Sequence, residues 1–134
     1  MIGVLVVTHG SIGEALLTSA SQILGSMPPQ VATLSVWRQD DPDDLVLRAR
    51  ELLDTLDAGD GVLVLTDIFG ATPGNVASRL LEDGKIEGVS GVSLPMLLRV
   101  VTGRDGSLAN AVKRAVSGGA DGVVHMNNDR CCDA

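Results

Sequence analysis

At 134 residues the chain is long enough to bury a single-domain core without disulfide or metal staples. A formal charge of −7, from 17 acidic against 10 basic residues, sets its surface against nucleic acid and anionic membranes and toward basic partners. With one Trp, one Phe, no Tyr and a hydrophobic fraction of 45%, its interior has to be built from Val, Leu, Ile and Ala.

Residues 2–8 form a continuous, β-branched apolar run, the pattern of a strand covered on both faces. No basic leader or small-residue cleavage site precedes it, so it does not read as a signal peptide. No apolar run approaches membrane-spanning length, and a cytoplasmic location is expected. Ile12, Ala15, Leu16, Ser19, Ile23 and Leu24 then recur at helical spacing, with Gly25 placed to stop that helix. Val31–Val36 reads as a second strand. Asp41 is a candidate cap for the next helix, Pro42 suits its first turn, and Asp43 and Asp44 favour the positive end of its dipole. Leu45, Ala49, Leu52, Leu53 and Leu56 make its apolar stripe.

Residues 61–66 (Gly-Val-Leu-Val-Leu-Thr) form the third strand-like run. Thr72 followed by Pro73 looks like a cap and first-turn proline, opening a helix through about Leu81 that Gly84 closes. Residues 86–93 fit a fourth strand and residues 94–102 a short helix. Ser107 caps a last helix with Leu108, Ala111, Val112, Ala115 and Val116 facing inward and Gly118-Gly119 ending it. Residues 123–126 (Val-Val-His-Met) fit a short final strand, and residues 127–134 a polar tail. Within that tail the adjacent Cys131 and Cys132 bridge each other only with strain and do not resemble a disulfide framework. His125 lies near them, but no fourth ligand is evident and no metal site is expected.

This order predicts an α/β fold: a three-layer, doubly wound sheet, mainly parallel, with one domain over residues 1–126. Sites in such sheets form beyond the carboxyl ends of strands, where strand order reverses. In a 2-1-3-4 order the first and third strands are neighbours, and the segments that follow them are Thr8-His9-Gly10-Ser11 and Thr66-Asp67-Ile68-Phe69-Gly70-Ala71-Thr72-Pro73. A histidine and a carboxylate would stand together at one rim. A carboxylate on one ring nitrogen fixes the tautomer and leaves the other nitrogen as a nucleophile. Phosphoryl transfer asks for little else beyond alignment and charge stabilisation. Gly10, Gly70 and Ala71 allow close backbone approach, amides after Ser11 and Ala71 suit a phosphate, and Thr72 can offer its hydroxyl. Placement alone also allows His9 to be an ordinary loop residue, Asp67 a helix-approach cap and Thr72 an N-cap. Neither a Gly-x-x-x-x-Gly-Lys-Ser/Thr loop nor a Gly-x-Gly-x-x-Gly turn occurs, so no nucleotide cofactor is expected. Arg79, Arg99 and Arg104 read as solvated or paired surface charges, with Arg99 near the rim.

Four segments carry a resemblance: Thr8-His9-Gly10; Asp67 with an aromatic and Gly70; Thr72-Pro73-x-Asn75-x-Ala77-Ser78-Arg79; and Gly91-Val92-Ser93-Leu94-Pro95-Met96-Leu97. Together, in this order, they resemble the enzyme IIA domain of the mannose family of the bacterial sugar phosphotransferase system, over residues 1–124. The resemblance implies that His9 is phosphorylated by the phosphocarrier HPr and passes the group to a IIB component, with Asp67 holding the imidazole. It implies partner docking around Phe69, Pro95 and Met96, contact with a membrane permease complex only through partners, and a homodimer that exchanges an antiparallel last strand, here residues 123–126. Thr72 stands where the family usually has serine, Phe69 where it has tryptophan and Gly74 where it has phenylalanine; the last two changes trim the apolar rim and bear on partner affinity rather than chemistry. A chain ending here would act as a separate protein.

Two further readings share the pattern. A regulatory phosphoprotein without sugar transport downstream would carry the same site. A small tetrapyrrole metal chelatase would use His9 and a late histidine, for which His125 is the candidate, and would leave Asp67 and Thr72-Pro73 unused. The phosphotransfer subunit of dihydroxyacetone kinase is a nearer relative in chemistry, but its serine-rich start differs from Thr8-His9-Gly10.

Overall fold

Strands rich in valine and leucine alternate with amphipathic helices, and each strand is returned beside its neighbour by a helical crossover. A computed structural model describes residues 1–128. In chain order the elements are β1 (Gly3–His9), α1 (Ile12–Leu24), β2 (Val31–Val36), α2 (Pro42–Leu56), β3 (Val62–Thr66), α3 (Thr72–Ser78), β4 (Ile86–Ser90), α4 (Leu94–Val101) and α5 (Leu108–Asp121), followed by a single 3-10 turn, Met126–Asn128. The strands form one parallel sheet in the order β2-β1-β3-β4, the order expected.

The period-two alternation of the strands divides the core into two layers. Leu5, Val7, Val62 and Val64 point to one face and pack with Leu45, Ala49, Leu53 and Leu56 of α2 and Val76 and Ala77 of α3. Val4, Val6, Leu63 and Leu65 point to the other and pack with Ala20 of α1, Met96, Leu97 and Val100 of α4, and Ala111 and Ala115 of α5. The central strands are therefore apolar along their length, and their polar residues, Thr8, His9 and Thr66, collect at the carboxyl ends.

Several local signals hold. Asp41 caps α2 by accepting the Asp43 N–H at 3.0 Å, Ser107 caps α5 by accepting the Asn110 N–H at 3.1 Å, and Gly25 ends α1 in the left-handed region at φ +83°. Other expectations are corrected. The inner face of α1 is Gly13, Leu16 and Ala20, whereas Ile12, Ile23 and Leu24 are exposed. The small residues let the helix lie close to β1, and the bulky ones are left outside. The helix after Pro73 stops at Ser78, where a tight turn takes over. Strand β4 ends at Ser90 rather than 93, and Val116 faces solvent. Gly118 and Gly119 do not end α5, which continues to Asp121; a Cβ on Gly118 would stand 3.2 Å from the Met96 Cα, so the glycines set the approach of α5 to α4.

The antiparallel last strand is not formed. Residues 123–125 are irregular and exposed and lead into the 3-10 turn, leaving β4, like β2, as a sheet edge among the described residues. Residues 123–126 pair with no strand among the described residues, so their β-propensity has nothing to act on. Cys131 and Cys132 lie outside the described residues. Among the described residues no helix is long and apolar enough to cross a membrane.

Arg104 is not a surface charge. It is 4% exposed, and its Nη1 donates to the carbonyls of Pro29 at 2.7 Å, Ile2 at 3.3 Å and Gln30 at 3.4 Å, joining the α4–α5 loop to the starts of β1 and β2. Burial pulls its pKa below the ordinary arginine value, against the attraction of Asp105. Removing a buried charged donor deletes its bonds and leaves carbonyls unsatisfied. Arg104→Ala is expected to lower unfolding stability by about 2–4 kcal/mol, read by urea denaturation, without changing the geometry of the opposite end of the sheet.

Candidate active site

His9 is the last residue of β1, and Asp67 is the first residue after β3. Parallel pairing sets Val7 opposite Thr66, so both chains leave the sheet at the same level. The His9 Nδ1 lies 2.7 Å from Asp67 Oδ2, and the His9 backbone N–H donates to the same oxygen at 3.1 Å. The other oxygen, Oδ1, accepts the Ile68 N–H at 3.0 Å. An ionised carboxylate only accepts, so the proton of a neutral imidazole is assigned to Nδ1 and the lone pair to Nε2. The ring is half exposed, at 49%, while the Asp67 side chain is 13% exposed. Burial pushes the Asp67 carboxyl upward in pKa, but the bonds and charge of His9 outweigh it and hold the group below its ordinary 3.8.

The loop that presents His9 is held from below. Thr8 is buried, and its Oγ1 accepts the Gly13 N–H at 2.8 Å, taking the capping role that the Ser11 side chain leaves unused. Gly10 turns at φ +48° and donates its N–H to Val36 O at 2.9 Å; a Cβ there would meet the Trp37 ring at 3.3 Å. Both the conformation and the close ring favour glycine.

Thr72 lines the same cleft as His9, a space of about 490 Å³ bounded also by Val36, Trp37, Arg38, Asp40 and Pro42. Ala71, not Thr72, is the N-cap residue of α3, and no side chain caps that helix, so the Thr72 hydroxyl is left uncommitted. Gly70 adopts φ +89° in the connecting turn, and Phe69 and Ile68 beside it are exposed at 81% and 54%. Gly70, Ala71 and Ser11 sit on the two loops at this rim but do not line the cleft.

The predicted docking residues divide. Phe69 projects from the rim. Pro95 is exposed along a separate groove between the end of β4 and α5, and Met96 is 3% exposed in the core. Met96 packs in the core and also lines the floor of that groove. Arg79 pairs with Asp43 at 2.8 Å, and Arg99 pairs with Asp121 at 2.8 Å on α5.

Trp37, Arg38 and Asp40 are cleft residues that the sequence reading passed over. The strand-end rule that found His9 and Asp67 applies equally to the segment after β2, which carries Trp37-Arg38-Gln39-Asp40. A second cleft, of about 550 Å³ between β2 and α2, shares Trp37 and Asp40 with the first. Among the described residues no three His, Cys, Asp or Glu side chains cluster as metal ligands.

Comparison with known proteins gives a consistent picture. Residues 3–117 match the EIIA-man family model, described as the PTS system fructose IIA component. The chain is similar to the mannose-specific EIIAB component of the phosphotransferase system of Escherichia coli K12, 34% identical over 125 residues that make up 91% of this chain and 38% of that protein. It therefore spans well under half the length of that relative. It is also similar to the fructose-specific EIIA component of Bacillus subtilis, 32% identical over 106 residues, 78% of this chain and 72% of the relative. A crystal structure of a phosphotransferase system EIIA component from Streptococcus agalactiae superposes with a TM-score of 0.84 at 27% identity, covering 96% of this chain and 99% of that one.

Proposed function

The chain belongs to the mannose-type family of phosphotransferase system IIA components, and from that premise we propose that it is a phosphocarrier that accepts a phosphoryl group on Nε2 of His9 from HPr and delivers it to a IIB component. The observation that carries the reading is the His9–Asp67 contact of 2.7 Å at the mouth of the parallel sheet. The Asp67 carboxylate holds the proton on Nδ1, so the Nε2 lone pair faces the cleft in a fixed direction. As Nε2 attacks phosphorus in line, the new N–P bond forms while the bond from phosphorus to the donor histidine breaks, and that nitrogen keeps the electron pair. The Nδ1–H···Asp67 bond stabilises the positive charge that grows on the His9 ring. Delivery to the acceptor reverses these changes.

Thr72 supplies a free hydroxyl donor to the phosphoryl oxygens, and the loops carrying Gly10, Ser11, Gly70 and Ala71 bring backbone to the same rim. Phe69 and Ile68 form the apolar part of the docking rim. Incubation with phosphoenolpyruvate, enzyme I and HPr is expected to add one phosphate to the protein, in a bond that acid breaks and base spares. No mass gain under those conditions would reject the carrier reading.

The chain also has the surface for a homodimer. Among the described residues strand β4 is an open edge, and the exposed Val116 and Val123 line the groove between β4 and α5. Light scattering is expected to give twice the mass of one chain at micromolar concentration, and a monomer would remove this part of the proposal.

A further inference from the structure

A phosphoryl group on His9 would bring close to two negative charges beside the Asp67 carboxylate, in a chain whose net charge is already −7. Carriers meet that cost with a cation or with oriented donors. Arg38 is the one cationic residue lining the His9 cleft.

Its position is built rather than incidental. Strand β2 lies beside β1 with Val36 opposite His9, so the segment leaving β2 rises next to the loop leaving β1. The Trp37 N–H donates to Asp40 Oδ2 at 2.9 Å, and the Asp40 N–H donates back to Trp37 O at 3.0 Å, closing a turn with Arg38 at its tip. The Trp37 ring packs against Gly10, tying that turn to the His9 loop. Asp40, the remaining acid lining the cleft, thus has one oxygen committed to the turn.

Among the other described arginines, Arg48 has no ion pair but lies on α2 and lines neighbouring clefts, not the His9 cleft, and the rest are committed elsewhere. Arg79 and Arg99 are in ion pairs, and Arg50, Arg104 and Arg114 donate to carbonyls. Among the described residues Arg38 has no ion-pair partner, and it is exposed.

We propose that Arg38 is the cation that binds the phosphoryl group on His9 and so sets how strongly this protein holds phosphate relative to its donor. The assignment rests on the carrier reading above. Arginine suits the role because its planar donors match two phosphoryl oxygens, and the free, exposed side chain can turn toward a group that is present only part of the time.

The test is the transfer equilibrium between phosphorylated HPr and the protein, measured for the full chain with Arg38, with Arg38→Gln and with Arg38→Lys. An equilibrium constant depends only on the free species, so any effect of Arg38 on docking cancels. Arg38→Gln is expected to lower the phosphorylated fraction, shifting the constant about threefold to tenfold toward HPr, with Arg38→Lys in between. The phosphorus NMR titration midpoint of the phosphoryl group should rise in Arg38→Gln, because a neighbouring cation favours the dianion. If the wild-type protein takes up phosphate and Arg38→Gln leaves both the constant and the midpoint unchanged, the assignment to Arg38 is overturned and the carrier reading stands. If the wild type takes up none, both fall.

Discussion

His9→Ala is expected to take up no phosphate from phosphorylated HPr, while circular dichroism and the melting transition stay close to wild type. In the carrier reading proposed above, Nε2 of this ring is the atom that bonds to phosphorus, so the loss should be complete rather than partial. The other described histidine, His125, lies in the exposed segment after α5 and does not line the His9 cleft. The fold should survive because His9 is half exposed at the end of a strand whose other residues supply the core. Labelling that persists in His9→Ala would move the phosphorylated residue elsewhere.

Asp67→Asn should slow phosphoryl transfer by roughly 10²- to 10⁴-fold, the range for losing an oriented partner of a catalytic imidazole. The carboxylate uses both oxygens as acceptors: one takes the ring and backbone N–H of His9, the other the Ile68 N–H. An amide has one acceptor oxygen. Pointed at His9, it turns its NH₂ toward the Ile68 N–H; pointed at Ile68, it presents a donor to Nδ1 and moves the proton to Nε2, the nitrogen proposed to attack. Single-turnover rates measured by rapid quench separate these outcomes from a docking defect, and an unchanged rate would reduce Asp67 to a structural residue.

The same substitution carries a pH signature. Because the folded-state pKa of Asp67 is depressed, its ionised form adds stability above the unfolded-state value near 3.8, and that contribution is lost as pH falls through the lower folded value. The difference in melting temperature between wild type and Asp67→Asn is therefore expected to narrow as pH drops below the ordinary carboxylate range. A gap that stays constant would mean the His9 contact does not stabilise the ionised carboxylate.

The parallel sheet and its order were legible because β1 and β3 are apolar at every position but their carboxyl ends, which only two-sided burial explains, and because caps such as Asp41 and Ser107 are local chemistry. The His9–Asp67 pair was legible for a related reason. Once strand order is known, strand ends fix which loops meet.

What escaped was encoded in small or long-range features. The inner face of α1 is marked by Gly13 and Ala20, which carry little hydrophobic signal, while Ile12 and Ile23 imitate a core stripe from the outside. Gly118 reads as a helix stop but serves a helix crossing. Arg104 looks like any surface arginine until the Pro29 and Ile2 carbonyls are brought to it from distant sequence. Met96 follows a proline in a motif that suggests the rim, yet helical geometry turns it into the core. The segment after β2 obeys the same strand-end rule, and it reaches the site because β2 lies beside β1 with Val36 opposite His9.

The imidazole of His9 offers one open side. Its Nδ1 edge is closed off by Asp67, and its backbone is fixed in the sheet, so the ring cannot swing from one visitor to another. Whatever loads such a nitrogen has to leave before anything unloads it, because both need the same doorway. A carrier built this way works by double displacement, with no complex in which giver and receiver are bound together, and its turnover is bounded by how quickly the first departs.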